Sequence, residues 1–450
     1  MALDELESSW SAIAARYLPI SPSESEIWRY SFQPRSAALP RQGWKVHLSA
    51  TILSAEETLR RVGPLLQDEH ILFKGPSSMK LLSLLNSGLQ FGFTQVGKAF
   101  TLYPAGDSEA VALATRLAEV LRDIAGPQIP FERRLAPDLP IFYRYGVLIA
   151  TDRPDEICDP DGNWLPDLRT SAAACPPWIT DPFTPSWPAE PQAVADDEGI
   201  PPIAAYAVLS QRGKGGVYEA LDLRNQPARR CVLKEGRRLG EVDVSGKDGC
   251  DLVEAEQLAL KSLHAGGVRV PKLHLTYAMS NNCYSVLEKI DGSSLAAVIA
   301  EAEYSSRYAL QIARETAKEL WALHRAGWIW RDCKPANMIW DPDSRVVLLD
   351  FEGACRQRRP SIGPYGSPGY IPPWISPLQV ASQKDDIYAL GITLYQTFGG
   401  VLDMVTGVPR LAGRPHLTQA PTDELINRML SPDPAQRPDI SEVTSALLHD

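Results

Sequence analysis

Several features that mark large classes of protein are missing from this sequence. Basic residues do not predominate, because 45 Lys and Arg stand against 55 Asp and Glu and leave a net charge of −10. A chain of that sign is not built to hold nucleic acid by bulk charge. No run of about 18 apolar residues occurs, so no membrane-spanning helix is predicted. The first ten residues, MALDELESSW, are acidic where a signal peptide is basic and then apolar. The sequence therefore predicts a cytoplasmic protein with neither a nucleic acid nor a membrane as partner.

Cysteine is scarce and scattered. There are seven cysteines, an odd number, and none forms a C-x-x-C pair. Neither a disulfide framework nor a zinc site is indicated, and reduced thiols are expected. With 450 residues, of which 44% are hydrophobic and 22% charged, the chain suits two or three folded domains.

Composition and periodicity divide the chain into three parts. Residues 1–150 alternate strand and helix patterns, which predicts an α+β domain. Residues 151–200 contain nine of the 38 prolines, a density that blocks regular hydrogen bonding and predicts an extended connector. Four large aromatic residues in this connector predict that it packs on the domains. Residues 201–450 run from strands to helices and form the second domain.

The elements of the first domain follow from period-two and period-3.6 patterns. A capping box is predicted where Ser54 and Glu57 open a helix. The predicted strands are 43–50, 70–75, 98–104 and 141–149, and the predicted helices are 54–67 and 107–126.

The second domain opens with the segment AYAVLSQRGKGGVYEAL (205–221), a strand, a glycine-rich turn and a strand. Without a Cβ atom, its glycines let the backbone close over phosphates, although a hairpin of no consequence has the same pattern. The glycines concerned are Gly213, Gly215 and Gly216.

A lysine on a strand and a glutamate on a helix follow this turn. Lys234 ends the apolar run CVLK, and Glu256 lies on the next predicted helix. Such a pair places the lysine on the phosphates of a nucleotide. Glu254 is the competing candidate, but the spacing of Glu256 to Leu260 puts it at the edge of the buried stripe.

The segments WRDCKPANMIW (330–340) and VVLLDFEGA (346–354) place four polar groups between apolar flanks. Asp332 can accept the proton of an attacking hydroxyl, and Lys334 can neutralise a transferring phosphoryl group. Asn337 and Asp350 supply the hard oxygen ligands that Mg²⁺ prefers. Together these groups predict phosphoryl transfer.

At these residues the chain resembles the protein kinase family, over about residues 200–450. The resemblance implies a sheet-rich lobe (about 201–290), a helical lobe (about 291–450), ATP or GTP between them with Mg²⁺, and Glu288 at the hinge. Further matches are Tyr370, Asp386 and Arg437.

Three positions depart from the kinase pattern. Trp330 stands where the family usually has histidine, Glu352 where the metal loop has glycine, and Trp374 where a glutamate normally pairs with Arg437. None of them removes a catalytic group, so an active, divergent kinase is expected. A pseudokinase scaffold is the alternative.

Cationic residues mark the predicted strands of the first domain. In GWKVHLSA, Trp44 and Val46 fall on one face, and Lys45 and His47 fall on the other. A solvent-facing strand edge is one interpretation. Convergence on an anion is the other, and a phosphate suits such a set better than a neutral ligand. The remaining cations of the set are Lys74, Lys98 and Arg144.

This arrangement resembles the phosphothreonine lyase domains of class III and class IV lanthipeptide synthetases, over about residues 20–190. Matching segments are LPRQGWKVHLSA (39–50), ILFK (71–74), LLNSG (84–88), VGKAFTLYP (96–104), YRYG (143–146) and PPWITDPF (176–183). The resemblance implies Lys74 as general base and His47 as general acid, with Lys45, Lys98 and Arg144 binding phosphate. Further candidate phosphate ligands are Arg35, Arg41, Lys80, Arg133 and Arg134.

The order of lyase and kinase implies a bifunctional dehydratase. It would phosphorylate Ser or Thr of a precursor peptide and eliminate phosphate to leave dehydroalanine or dehydrobutyrine. Such synthetases carry a cyclase-like domain after the kinase, whereas the final helix predicted here is where a kinase domain ends. Two outcomes are therefore expected: either a separate cyclase protein is a partner, or the product carries dehydroamino acids without enzyme-made rings. The basic cluster Arg356, Arg358 and Arg359 is either a contact for acidic leader residues or a solvated loop. The alternative is a Ser/Thr signalling kinase whose first domain binds phosphopeptides.

Overall fold

The computed structural model separates the chain into an α+β unit followed by a unit with a sheet-rich lobe and a helical lobe. The predicted fold class is confirmed. Arg35 lies outside the described residues. The structure describes residues 3–21, 26–33, 39–148, 153–170, 173–187, 200–301, 305–363, 365–376, 378–405, 408–412 and 420–449. No helix within these ranges is long and apolar enough to cross a membrane.

The N-terminal unit is built on a six-stranded antiparallel sheet of order β1-β3-β4-β2-β6-β5. A short 3-10 turn covers Phe93–Gln95. The elements are α1 (Leu3–Tyr17), β1 (Trp28–Tyr30), β2 (Gln42–Ser49), α2 (Ala55–Asp68), β3 (Leu72–Pro76), α3 (Met79–Ser87), β4 (Lys98–Tyr103), α4 (Asp107–Val120), β5 (Arg133–Arg134) and β6 (Ile141–Val147).

One face of this sheet forms the core of the unit. Trp44, Val46 and Leu48 are almost completely buried there, with residues of α1, α2 and α4. Burying each such side chain contributes about 1.5–3 kcal/mol. The alternation predicted for β2 is confirmed, and it leaves the polar residues of the strand on the opposite face.

The start of α2 differs from the prediction, because the capping box does not form. The Ser54 hydroxyl accepts from the backbone N–H of Thr51 (3.0 Å), and Glu57 pairs with Arg61 (2.7 Å). Ser54 has helical rather than extended backbone angles, so its oxygen does not face the free N–H groups of the first turn. The predicted helix 107–126 ends earlier, at Val120.

The described part of the connector packs on the N-terminal unit. The Phe183 ring is fully buried in its core and makes an edge contact with Trp44 at 5.4 Å between ring centroids. A hairpin of β7 (Glu156–Cys158) and β8 (Trp164–Pro166) is tied to β2, because Gln42 exchanges two 2.7 Å hydrogen bonds with the backbone of Cys158.

The second unit begins with a five-stranded antiparallel sheet of order β12-β13-β11-β10-β9, against which α5 packs. Its elements are β9 (Ile203–Arg212), β10 (Gly215–Asp222), β11 (Arg229–Gly236), α5 (Gly249–Ala265), β12 (Leu273–Met279) and β13 (Asn282–Glu288).

The helical lobe has its own core, in which α8 is buried along most of its length. A 3-10 turn over Pro335–Asn337 and two short strands present the polar segments to the sheet-rich lobe. The elements are β14 (Ser293–Ser294), α6 (Leu295–Ile299), α7 (Ser306–Arg325), β15 (Trp328–Ile329), β16 (Met338–Trp340), β17 (Val346–Leu348), β18 (Cys355–Arg356), α8 (Gln383–Thr397), β19 (Val401–Val405), β20 (Val408–Ala412), α9 (Ala420–Met429) and α10 (Ile440–His449).

Candidate active sites

A cleft of about 410 Å³ opens between the two lobes of the second unit. Its walls bring together Lys234, Glu256, Glu288, Asn337 and Asp350, which lie far apart in the sequence. Apolar side chains from β9, β10 and β11 complete the lining. A cleft with apolar walls and a few converging polar groups is typical of a small-molecule site.

The strand lysine and the helix glutamate meet in this cleft. Lys234 Nζ lies 2.8 Å from Glu256 Oε2, whereas Glu254 lies beside the Cys283 thiol. Glu256 also accepts the backbone N–H of Phe351 (3.0 Å), so it links α5 to the metal loop. Although burial opposes them, the carboxylates around Lys234 raise its pKa well above the ordinary value. The lysine is therefore a fixed positive charge.

Glu352 contributes a further carboxylate that the sequence did not assign to the site. One of its oxygens lies 2.8 Å from Lys234 Nζ, and the other pairs with Lys214 in the glycine-rich turn. Although burial works in the opposite direction, these two lysines lower the pKa of Glu352. The residue that replaces the glycine of the metal loop thus bridges the turn and the strand lysine.

Two of the polar groups predicted in the segment 330–340, Lys334 and Asn337, converge on Asp332. Its Oδ2 accepts from Lys334 Nζ (2.8 Å) and Asn337 Nδ2 (2.7 Å), and its Oδ1 accepts from the backbone N–H of Ser367 (3.0 Å). Asp350 lies across the cleft, 3.3 Å from Lys234 Nζ. These contacts fix the direction of the Asp332 carboxylate, as a base for a hydroxyl requires.

Carboxylate and amide oxygens make this cleft a suitable environment for Mg²⁺. Asp350 and Asn337 carry hard oxygen donors, and Lys234 and Lys334 carry the cations that accompany phosphate groups in such sites. The residues present therefore fit a magnesium–nucleotide complex.

The tryptophan that replaces the usual histidine keeps a structural contact. The Trp330 indole N–H donates to the carbonyl of Asp350 (3.0 Å), and its backbone N–H donates to the buried Asp386 (2.8 Å). Asp386 also accepts from the backbone N–H of Arg331 (2.7 Å) and contacts His324 at 2.9 Å. Trp330 therefore ties the segment 330–340 to the segment 346–354.

Arg437 has partners other than the missing glutamate. Its guanidinium donates to the carbonyls of Ser431 and Lys384 (both 2.9 Å) and stacks 5.3 Å from the Tyr388 ring centroid. Trp374 makes an edge contact with the same Tyr388 ring, at 5.6 Å between ring centroids. The Tyr370 hydroxyl donates to Gln396.

Two of the three glycines in the turn are required by their own sheet. A Cβ on Gly215 would lie 1.8 Å from the Glu235 carbonyl oxygen, and one on Gly216 would lie 2.2 Å from the Tyr218 hydroxyl. Gly213 faces the N-terminal unit. In the predicted basic cluster, Arg356 is stacked on the Trp328 ring (4.3 Å) and bonded to Ser262.

A second polar site lies on the open face of the N-terminal sheet. The register places Lys74 of β3 and His47 of β2 on either side of Thr101 of β4, in one row across three strands. In the next row Lys45 lies opposite Arg144. Cross-strand partners point to the same face, so the predicted cations do converge.

Glu132 is the central group that sequence reasoning missed. One of its oxygens lies 2.7 Å from His47 Nδ1 and the other 2.7 Å from Lys98 Nζ, and all three side chains are buried. Although burial opposes them, these neighbours hold the pKa of Glu132 well below its usual range. The Glu132 carboxylate orients the His47 imidazole and balances the positive charge of Lys98.

Arg169 and Asp167, in the connector, also belong to this site. The Arg169 guanidinium is held by the carbonyl of Thr94 (3.1 Å), and Asp167 pairs with Arg144. Arg144 and Arg169 line a cavity of about 420 Å³ beside the sheet, together with Arg133. The positive charge of Arg169 helps to lower the pKa of both Lys74 and Lys98. The site is therefore completed by residues beyond the strands that predicted it.

The other candidate phosphate ligands have different surroundings. Arg133 pairs with Asp181, and Arg134 stacks on the Phe142 ring (4.8 Å). Arg41 stacks on the Trp164 ring (4.4 Å), and Lys80 is exposed on α3.

Burial and mutual repulsion change the protonation of the lysines. Burial, together with Lys98 and Arg169, lowers the pKa of Lys74 to about 8. Burial and Arg144 lower the pKa of Lys45 to about 7, and burial lowers that of Lys98 to about 8. A lysine with a pKa of about 8 is partly uncharged near neutral pH and can therefore act as a base, as the resemblance implies for Lys74.

His47 has an uncharged ring when the site holds no anion. Burial lowers the pKa of its imidazole to about 3, against the opposing effect of Glu132. To act as an acid, His47 has to gain a proton when a phosphate dianion enters and raises its pKa. Its assignment as general acid stays a prediction.

These pKa values predict a narrow pH optimum for any reaction that uses Lys74 as a base and the other lysines as phosphate ligands. We expect kcat/KM for elimination from a ready-made phosphopeptide to peak between about pH 7 and 8. Below this range Lys74 is protonated, whereas Lys45 loses its charge from about pH 7 and Lys98 from about pH 8, so phosphate binding weakens as the pH rises further. If kcat/KM instead rises steadily up to pH 10.5, the ordinary pKa of lysine, the assignment of Lys74 as the base is wrong.

Comparison with known proteins agrees with this division of the chain. Residues 206–448 match the protein kinase domain, which is more than half of the 450 residues. The chain belongs to the protein kinase family. Residues 18–194 match the N-terminal domain of RamC. The resemblance predicted for the two parts is confirmed, and the kinase domain implies the use of ATP and Mg²⁺ in general.

Two relatives illustrate the similarity. A probable SapB synthase of Streptomyces coelicolor is 29% identical over 390 residues, which are 80% of this chain and 41% of that protein. Serine/threonine-protein kinase F of Synechocystis sp. is 28% identical over 269 residues, 54% of each chain. The chain thus spans two fifths to about half of the length of these relatives, and it is similar to a Ser/Thr kinase and to a biosynthetic enzyme.

Proposed function

We propose that the chain dehydrates Ser or Thr residues of a precursor peptide in two steps, in lanthipeptide-type biosynthesis. The kinase cleft phosphorylates the hydroxyl with ATP or GTP, and the polar face of the N-terminal sheet eliminates the phosphate. The observation that carries this proposal is the row across the sheet in which Lys74, a lysine with a lowered pKa, and His47 lie on either side of Thr101, with Lys98 close enough for its charge to act on Lys74. The similarity to a protein named SapB synthase supports a biosynthetic role.

In the first step, the groups around Asp332 perform phosphoryl transfer. Asp332 accepts the proton of the Ser or Thr hydroxyl as the hydroxyl oxygen bonds to the γ-phosphorus, and the bond between the γ-phosphorus and the β,γ-bridging oxygen breaks to release the nucleoside diphosphate. Lys334 stands beside it, and Lys234 is held by Glu256 toward the phosphates. Asp350 and Asn337 would hold Mg²⁺, which would supply positive charge to the phosphate oxygens.

In the second step, Lys74 removes the α-proton of the phosphorylated residue. The C–H electrons form the Cα=Cβ double bond, and the Cβ–O bond breaks to release phosphate. Lys45, Lys98 and Arg144 stabilise the departing charge, and His47 lies in the same row as the base. A phosphate-binding module needs the cations but has no use for a lysine of low pKa, which is why a lyase explains this site better.

We expect the reaction to take place in the cytoplasm. Its product can be identified by its change in mass. We expect the wild-type chain, given a synthetic phosphoserine or phosphothreonine peptide without nucleotide, to release phosphate and leave a peptide about 98 Da lighter. A peptide lacking the phosphate is the control and should keep its mass. If the phosphopeptide binds but is returned unchanged, the N-terminal unit is a binding module and the dehydratase proposal is wrong.

A further inference from the structure

The N-terminal unit touches the glycine-rich turn of the kinase domain directly. The backbone N–H of Gly213 donates to the carbonyl of Ser87, the last residue of α3 (3.0 Å). Close by, the guanidinium carbon of Arg237 lies 4.9 Å from the centroid of the Phe93 ring. A turn predicted to close over nucleotide phosphates is therefore held from outside its own domain.

The approach is so close that only glycine fits at position 213. A Cβ atom there would lie 1.7 Å from the carbonyl oxygen of Asn86. Because that obstacle is backbone, no side-chain rotation can relieve the clash. Any larger residue has to separate α3 from the turn, so the contact between the units is built into the sequence of both.

Asn86 fixes this end of α3 to the strands that carry the second site. Its side chain is buried, with Nδ2 donating to the carbonyl of Ala50 and Oδ1 accepting from the N–H of Gly97 (both 3.1 Å). Ala50 follows β2, and Gly97 precedes Lys98 at the start of β4. The point of contact is thus rigidly placed by the N-terminal sheet.

On the kinase side, the same turn is bonded to the groups that face the phosphates. The carbonyl of Lys214 accepts from the backbone N–H of Arg237 (2.8 Å), and the Lys214 ammonium pairs with Glu352. Glu352 in turn lies 2.8 Å from Lys234. Displacing Arg237 or the turn would move Lys214 away from Glu352. Glu352 would then pair with Lys234 alone.

We infer that Phe93, a residue of the N-terminal unit, is a positioning residue for nucleotide binding in the kinase cleft. Its ring packs on the Arg237 guanidinium, which also donates to Glu235 (2.8 Å) and to the carbonyl of Arg212 (2.9 Å). Arg237 together with the end of α3 thus holds the glycine-rich turn in its place near Lys234. The inference rests on the nucleotide site of the proposed function, but not on peptide phosphorylation or elimination. Phe93 is only half-buried and outside the hydrophobic core, so it can be changed without emptying that core.

The test is the dissociation constant for Mg·ATP, measured by calorimetry on the full chain without peptide. We expect Phe93→Ala to raise it about three- to tenfold, as the loss of a cation–π contact would. Phe93→Tyr keeps the ring face and should restore wild-type affinity. Leu89→Ala is the matched control, because Leu89 belongs to the same loop and is 64% exposed. Equal affinity of Phe93→Ala and Leu89→Ala would overturn the inference.

A double-mutant cycle separates positioning from general destabilisation. Adding Phe93→Ala to Arg237→Gln should weaken Mg·ATP binding no further, since the contact is already gone. If the two effects add fully, Phe93 does not act through Arg237 and the inference is wrong. Failure of the dehydratase proposal would appear elsewhere, as an inert phosphopeptide with the Mg·ATP affinities unchanged.

Discussion

Replacing Lys74 by alanine is expected to stop dehydration at the phosphorylated intermediate. Without the base, the α-proton stays in place, and a precursor peptide incubated with ATP and Mg²⁺ gains about 80 Da per modified residue instead of losing about 18 Da. The elimination rate should fall at least about 10²- to 10⁴-fold, the usual contribution of a general base. Mass spectrometry of the peptide measures both outcomes.

The chain offers a matched control for this variant. Lys80 is an exposed lysine on α3, near Lys74 in the sequence but outside the site, so Lys80→Ala should dehydrate the peptide at the wild-type rate. Dehydrated product from Lys74→Ala at an undiminished rate would show that another group is the base.

Replacing Asp332 by asparagine is expected to have the opposite effect. The amide keeps a similar shape but cannot take the hydroxyl proton, and it adds a donor where Asp332 accepts from Lys334 and Asn337. Transfer of labelled phosphate from ATP to the peptide should fall at least about 10²- to 10⁴-fold. Elimination from a ready-made phosphopeptide should be unchanged, because that site is in another unit.

Asp343→Asn is the control for the kinase variant. Its side chain is 70% exposed and pairs only with Arg345 among the described contacts, so phosphorylation should persist. Loss of elimination in Asp332→Asn would mean that the two sites do not work independently.

The side chains that meet in the kinase cleft could be proposed from the sequence because many of them lie in short, ordered segments. Asp332, Lys334 and Asn337 fall within six residues, and the leucine spacing correctly favoured Glu256 over Glu254 as the partner of Lys234. Strand alternation likewise placed the cations of the N-terminal sheet on the face opposite the core. Local patterns of this kind predict the direction of side chains because each pattern follows from the geometry of one helix or strand.

Other parts of the sites could not be read from the sequence. Glu132 and Arg169 are single charged residues in unremarkable contexts, and only the folded chain brings them to His47, Lys98 and Lys74. The contact between Gly213 and Asn86 joins positions more than a hundred residues apart, and neither the glycine-rich turn nor the segment LLNSG indicates the other as its partner. Such pairs depend on tertiary packing, which the periodicity of a single sequence does not reveal.

The buried ring of Phe183 determines where the N-terminal unit can be cut from the rest of the chain. A polypeptide ending at residue 150 would match the end of regular alternation in the sequence, yet it would leave the Trp44 ring without its cover. Removing a buried phenylalanine side chain typically costs about 3–5 kcal/mol, and the same cut removes Asp167 and Arg169. A fragment meant to retain the cavity beside the sheet has to extend at least through Trp187, which packs against the same core.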